Sequence, residues 1–205
     1  MTGWTKHAGT AIALDIENVD TDQLIPARFM STPRADGYGN FLLHDLRTDQ
    51  NGNPDPNFSI NRHPKASILV GRRNFGSGSS REAAVYALAD FGIRAVIAPS
   101  FGDIFASNSV NNGLLPARVT EGDAARLIAL LGDGTGDLRI DIETTSIPVG
   151  DQTIPFVLSE AWAQKLMNGW DDIDLTQHHR PAISAYRARR AQTLPWVFPA
   201  EETAG

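Results

Sequence analysis

With 205 residues, 41% hydrophobic and 20% charged, the chain is long enough for one sizeable core, and a single domain over residues 1–205 is expected. A net charge of −6, with basic residues clustered only at Arg187, Arg189 and Arg190, excludes a global field toward nucleic acid or anionic lipid, and the absence of cysteine excludes disulfides, thiolate chemistry and an iron–sulfur cluster held by this chain's own thiolates. No apolar run approaches the roughly 18 to 20 residues of a membrane span and the first thirty residues carry no leader-like apolar core, so a cytoplasmic protein is expected.

Thr10 to Leu14 reads as a first strand and Asp15 to Asp20 as the loop leaving it. A short helix is predicted over 22–29, capped by Thr21 or Asp22, with Pro26 in its first turn. From Ser31 to Pro64 glycine, asparagine and proline break any period, although Phe41, Leu42, Leu43 and Leu46 can anchor part of this irregular region. A loop this long is either functional or a surface insertion. Ser67 to Val70 and Ala95 to Ala98 are continuous apolar runs of the kind buried parallel strands show. Between them Ala84, Ala87, Leu88 and Phe91 fall at helical spacing and Gly92 ends the helix, completing a βαβ unit. A helix near 103–110 and a strand near 114–119 extend this to a doubly wound α/β arrangement. Thr120 caps a helix over 121–131. The alternating stretches 138–143 and 153–158, joined through the Gly150-Asp151 turn, read as an antiparallel hairpin. Ser159 caps a helix to about Asn168, a last helix runs from Pro181 to Arg190, and 194–205 reads as a loose tail.

The stretch Gly71-Arg-Arg-Asn-Phe-Gly-Ser-Gly-Ser-Ser-Arg-Glu82 is the strand-to-helix turn of that βαβ unit. Backbone amides and the helix dipole favour an anion at such a place, phosphate or carboxylate. Three known motifs fail here on particular residues. Ser77 stands where a P-loop needs lysine after its second glycine, Arg81 stands where a dinucleotide fingerprint needs its third glycine, and no serine has the flanking glycines of a nucleophile elbow. Ser79 and Glu82 have the spacing of a capping box, which by itself would account for the serine. Ser80 and Arg81 add a second hydroxyl and a forked guanidinium to the same turn, where a positive charge opposes the dipole and suits the bidentate grip of a carboxylate.

Asn74 to Glu82, together with Ile97-Ala-Pro-Ser-Phe-Gly-Asp-Ile-Phe105, Asn111-Asn-Gly-Leu-Leu-Pro116 and Asn18 to Phe29, resembles the small-subunit family of 3-isopropylmalate dehydratase, related to the swivelling last domain of aconitase. The match runs from about Lys6 to Tyr186 and includes Met167-Asn-Gly-Trp170. The resemblance implies a swivelling β/β/α three-layer domain that caps a separate large subunit, with a [4Fe–4S] cluster on that partner and no cofactor in this chain. It implies loss of water from 2-isopropylmalate and re-addition at the neighbouring carbon, a step of leucine biosynthesis. By similarity Ser79 moves the proton, Ser80 and Arg81 hold substrate, Asp22 lies near the site, and Arg34, in the region that reads the substrate side chain, contacts it. Ser77 and Ala83 stand where many family members have cysteine and histidine, and neither matches the proton-transfer serine.

A helix terminus contributes at most ~2 kcal/mol, too little to ionise an alcohol at neutral pH. The rest must come from Arg81 and from a partner that excludes water and polarises the substrate, so the chain alone is expected to be inactive. The alternatives are a related subunit acting on a methylmalate- or homoaconitate-type diacid, and a non-catalytic carboxylate sensor. Asp15, Glu17, Asp20 and Asp22 lack the pattern of a calcium loop and read as a solvated acidic turn, and the adjacent His178 and His179 read as loop or helix-start residues.

Overall fold

In the computed structural model, which describes residues 2–198, the apolar runs form neighbouring parallel strands. β1 (Lys6–Leu14), β2 (Ile68–Gly71), β3 (Ala95–Ala98) and β4 (Leu115–Arg118) lie side by side in that order. All of β2 and β3 is buried because both sheet faces are covered. Ile12, Leu69 and Val96 pack on α4 (Glu82–Phe91), while Ala11, Ile68, Val70 and Ile97 share a second cluster with α6 (Glu121–Leu131). α5 (Asp103–Asn111) connects β3 to β4, and Pro116 is accommodated because β4 is an edge strand.

The parallel strands follow sequence order without reversal, so the predicted doubly wound pattern is not formed. After α6 the chain returns to the other side of β1, where β5 (Thr135–Asp141) pairs with it antiparallel, followed by β6 (Ser146–Val149) and β7 (Gln152–Pro155). The predicted hairpin is thereby corrected. The Gly150-Asp151 turn joins β6 to β7, and β5 spends its long register on β1, its ladder pairing with β6 being at Asp141 and Ser146. Leu138, Ile140, Ile147 and Ile154 of this antiparallel half join the second cluster, giving the mixed α/β class expected, a curled seven-stranded sheet with helices. No helix among the described residues is long and apolar enough to cross a membrane.

The segment after β1 holds α1 (Thr21–Leu24), α2 (His44–Arg47) and α3 (Ser59–Arg62) with short 3-10 turns between them. α1 is shorter than predicted and starts one residue earlier, with Asp20 capping the amide of Gln23 while the Gln23 side chain returns to Asp20. Pro26 ends it by holding Ile25 extended (φ −146°, ψ 110°). Leu42 and Leu43 are fully buried and Phe41 stacks on Phe29 at 4.3 Å, so the predicted anchors hold part of 31–64 in place. Gly39 lies so close to α4 that a Cβ there would come within 2.6 Å of the Phe91 nitrogen.

The described residues divide in sequence after Trp170 into two compact units. The first contains α7 (Glu160–Asn168), capped by Ser159 as predicted. The second contains α8 (Asp172–His178) and α9 (Arg180–Thr193). α8 was not legible because its capping box is built from Asp171 and Asp174 rather than Ser or Thr with Glu or Gln. His178 ends α8, and His179 stands between the two helices, at the N-cap position of α9 without a side-chain cap bond. Residues 199–205 of the predicted tail lie outside the described residues, and 195–197 form a 3-10 turn.

His7 of β1 lies 2.8 Å from the Ser67 hydroxyl, and its pKa is lowered first by burial and then by Arg94. The folded state therefore favours neutral His7. This contribution to stability is complete above the unfolded value of about 6.5 and is lost as pH falls through the lower folded value. Denaturation midpoints measured from pH 7.5 to 5 should fall more steeply for the native chain than for His7→Gln; parallel curves would count against the assignment.

Candidate functional site

Three loops leave the carboxyl ends of β1, β2 and β3 and continue the sheet irregularly, the place where open α/β sheets bind ligands. The Gly-rich segment after β2 lies in the middle. On one side Gly76 donates to the Val19 carbonyl (2.7 Å), and Asn18 and Thr21 donate to the carbonyls of Arg73 and Ser77 (3.0 and 2.8 Å). On the other side Phe75 donates to the Ser100 carbonyl and Gly102 donates to that of Phe75, both at 3.0 Å.

Side chains repeat this pairing. Asp15 binds Arg72, Glu17 binds Arg73 at 2.9 Å, and Asp22 binds Arg81. Asn18 and Asn74, both left-handed (φ 55° and 60°), join through their amides at 2.9 Å. The predicted solvated acidic turn is thus corrected: three of its carboxylates meet arginines of the Gly-rich turn and the fourth, Asp20, caps α1. The Arg72 guanidinium holds the Asp15 carboxyl below its usual range. These pairs are largely exposed, so they set geometry more than stability.

Glycine is demanded where the turn meets α5. Gly76 has φ +71°, and a Cβ on it would lie 2.2 Å from the Phe105 ring; one on Gly102 would lie 2.5 Å from the Gly76 carbonyl oxygen. This contact forms a cavity of about 230 Å3 lined by Gly76, Gly78, Ser79, Gly102, Asp103, Ile104 and Phe105.

The Ser79–Glu82 capping box is absent. α4 begins at Glu82 with Arg81 as its N-cap, extended at φ −121° and ψ 102° and making no side-chain cap bond. Tethering of Arg81 to Asp22, and of the Ser79 carbonyl to the Thr21 hydroxyl at 3.0 Å, accompanies this extended approach to the helix. Glu82 instead accepts from Asn112 at 2.9 Å and from the Tyr86 hydroxyl, which with burial as the larger cause raises the Tyr86 pKa. The Ser79 hydroxyl is therefore not consumed by capping, and Ser79 and Ser80 are both exposed just before the helix N-terminus.

Ser79, Ser80, Arg81 and Asp22 come together at this end of α4. Arg34 is bound to Asp90 through Nε and Nη2 (3.0 and 2.7 Å) and stacked 3.8 Å over Tyr86, the residue that bonds Glu82 at the start of α4. Asp90 lies about 12 Å along the helix axis from Glu82. Sequence reasoning missed Asp103 as a wall of the cavity; its signal was its place at the start of the helix that follows the third parallel strand. Among the described residues no three His, Asp or Glu side chains converge on a metal position.

Residues 1–122 match the Aconitase C-terminal domain family. The chain is 44% identical over 196 residues to the 3-isopropylmalate dehydratase small subunit of Shewanella amazonensis, covering 92% of this chain and 97% of that protein. It is 45% identical over 195 residues to that of Shewanella denitrificans, covering 92% and 96%. A crystal structure of 3-isopropylmalate dehydratase from Methanocaldococcus jannaschii aligns with a TM-score of 0.64 at 26% identity, over 88% of this chain and 99% of that one. With identity sustained across nearly the whole of both chains, this protein belongs to the family of 3-isopropylmalate dehydratase small subunits, built on the aconitase C-terminal domain.

Proposed function

We propose that the chain is the small subunit of a hydro-lyase of leucine biosynthesis, converting 2-isopropylmalate to 3-isopropylmalate through isopropylmaleate once a large subunit closes over it. The observation that carries the chemistry is the run Ser79-Ser80-Arg81 before the N-terminus of α4, with both serines exposed, Arg81 half-buried and steered by Asp22, and the Ser79 hydroxyl free of capping duty.

Ser79 Oγ, as the alkoxide, takes the proton from the carbon next to a substrate carboxylate while the hydroxyl on the neighbouring carbon departs as hydroxide; on re-addition hydroxide bonds the first carbon and the Ser79 hydroxyl gives its proton to the second, which restores the alkoxide. Arg81 and the Ser80 hydroxyl hold a carboxylate beside the amides of the first helical turn, where the dipole favours negative charge. Asp22 accepts from Arg81 Nη1 and so ties the guanidinium down beside the two serines. The [4Fe–4S] cluster, bound on the partner, would polarise the departing hydroxyl. With no cysteine in the sequence and no converging ligand set among the described residues, this chain does not fit that cluster.

The test is co-expression with the host's large subunit and an ultraviolet assay for the unsaturated intermediate from isopropylmalate and related hydroxy-diacids. The pair should turn over isopropylmalate and the lone chain should not; steady turnover by the lone chain, or preference for another diacid, overturns the reading. Arg81→Lys keeps the charge and loses the fork, so kcat/KM should fall roughly 10- to 100-fold, mostly through KM, as expected for a charge-assisted bond worth about 1.5–3 kcal/mol. An unchanged KM would show that Arg81 does not grip substrate.

A further inference from the structure

The concave surface beside Ser79 does not end at its small cavity. Asp103 also lines a groove of about 450 Å3 whose other walls include Phe101, Arg118, Val157, Leu158 and Trp162. The backbone builds this groove deliberately at the edge of the sheet: Val157 donates to the Arg118 carbonyl at 2.8 Å, bringing the chain alongside the end of β4, and the Ser159 cap then starts α7 and sets Trp162 on the wall.

Two features mark the groove as unfinished. Val157 on its wall is 60% exposed, and Ile104, which lines the adjoining small cavity beside Asp103, is 53% exposed. Asp103 and Arg118 carry opposite charges there and neither is ion-paired among the described residues, whereas Asp15, Glu17 and Asp22 around the neighbouring loops all are.

We infer that this groove is a docking surface for the large subunit, taking a segment that seats an apolar side chain on Val157 and Trp162 between a cation facing Asp103 and an anion facing Arg118. The inference rests on the isomerase reading for the identity of the partner. A chain that closes over Ser79 must also cross Asp103, and the groove opens from that shared wall. An interface with an apolar centre and opposite charges at its rim gains orientation from the charges and is weakened by salt.

The experiment measures association of the full chain with purified large subunit, by titration calorimetry at low and at physiological salt. Val157→Glu and Arg118→Glu should each weaken association at least tenfold, the second with a reduced dependence on salt, while turnover at saturating large subunit stays at the native level. Leu130→Glu, at another exposed apolar residue, on α6, should bind within twofold of the native chain. If Val157→Glu fails to fold by circular dichroism, Arg118→Glu decides alone. Native affinity in both groove variants overturns the inference, as does a change confined to self-association. A pair that associates through the groove yet leaves isopropylmalate untouched removes the substrate assignment only; a pair that turns it over and ignores both substitutions removes the docking surface only.

Discussion

Ser79→Ala in the reconstituted pair should lower turnover by about 10²- to 10⁴-fold, the range lost when a positioned proton-transfer group is removed. The same substitution should barely touch folding. Loss of a helix cap costs about 0.5–2 kcal/mol, but Ser79 makes no cap bond, so the change should stay within about 0.5 kcal/mol. Turnover of isopropylmalate and urea denaturation of the same preparations separate the two effects. Retention of more than a tenth of native turnover would remove Ser79 from the chemistry, and a loss of a kilocalorie or more in stability would restore it as a cap. A carboxylate sensor without catalysis has no turnover to lose, so the native pair's activity settles that alternative at the same time.

Gly76→Ala should produce the largest loss of stability. Left-handed backbone costs an alanine about 1–2 kcal/mol and forcing its methyl into a packed ring costs about 1–3 more, together roughly 2–5 kcal/mol. The added Cβ would press into the Phe105 ring at 2.2 Å, and Phe105 is itself buried against Phe75. For a chain of this length that corresponds to a drop in Tm on the order of 10 °C. Gly150→Ala is the matched control, since Gly150 has φ +57° with nothing within 4 Å of the added atom and carries the backbone cost alone. Thermal denaturation curves that coincide for the two variants would show that the contact between the turn and α5 is looser than described. The Gly76 variant should also lose activity, because Ser79 follows from the same turn.

The parts of this molecule written locally were legible in its sequence. β2, β3 and the helix between them follow from two uninterrupted apolar runs and a terminal Gly92, and the Ser79-Ser80-Arg81 run stands out through an arginine at a helix N-terminus. What was misread depends on partners distant along the chain. The Ser79–Glu82 spacing satisfies a capping box, but Arg81 is engaged by Asp22, 59 residues away, and the helix starts later. The acidic run looked solvated because its arginines lie 56 and 57 residues downstream. β6 was overlooked because Pro148 interrupts it and because β5 takes β1, rather than its neighbour in sequence, as its main partner.

The central place of β1 shapes how the chain emerges during synthesis. Its parallel neighbour β2 and its antiparallel neighbour β5 are separated by more than sixty residues, so one flank of β1 is covered long after the other. Until Thr135–Asp141 leaves the ribosome, the unpaired N–H and C=O groups along Lys6–Ile12 form a bare edge open to any other extended chain. A fragment cut at residue 122, where the match to the Aconitase C-terminal domain family stops, would keep every loop of the site and still carry that edge. The antiparallel half thus closes the edge of the strand from which the loops of the candidate site begin.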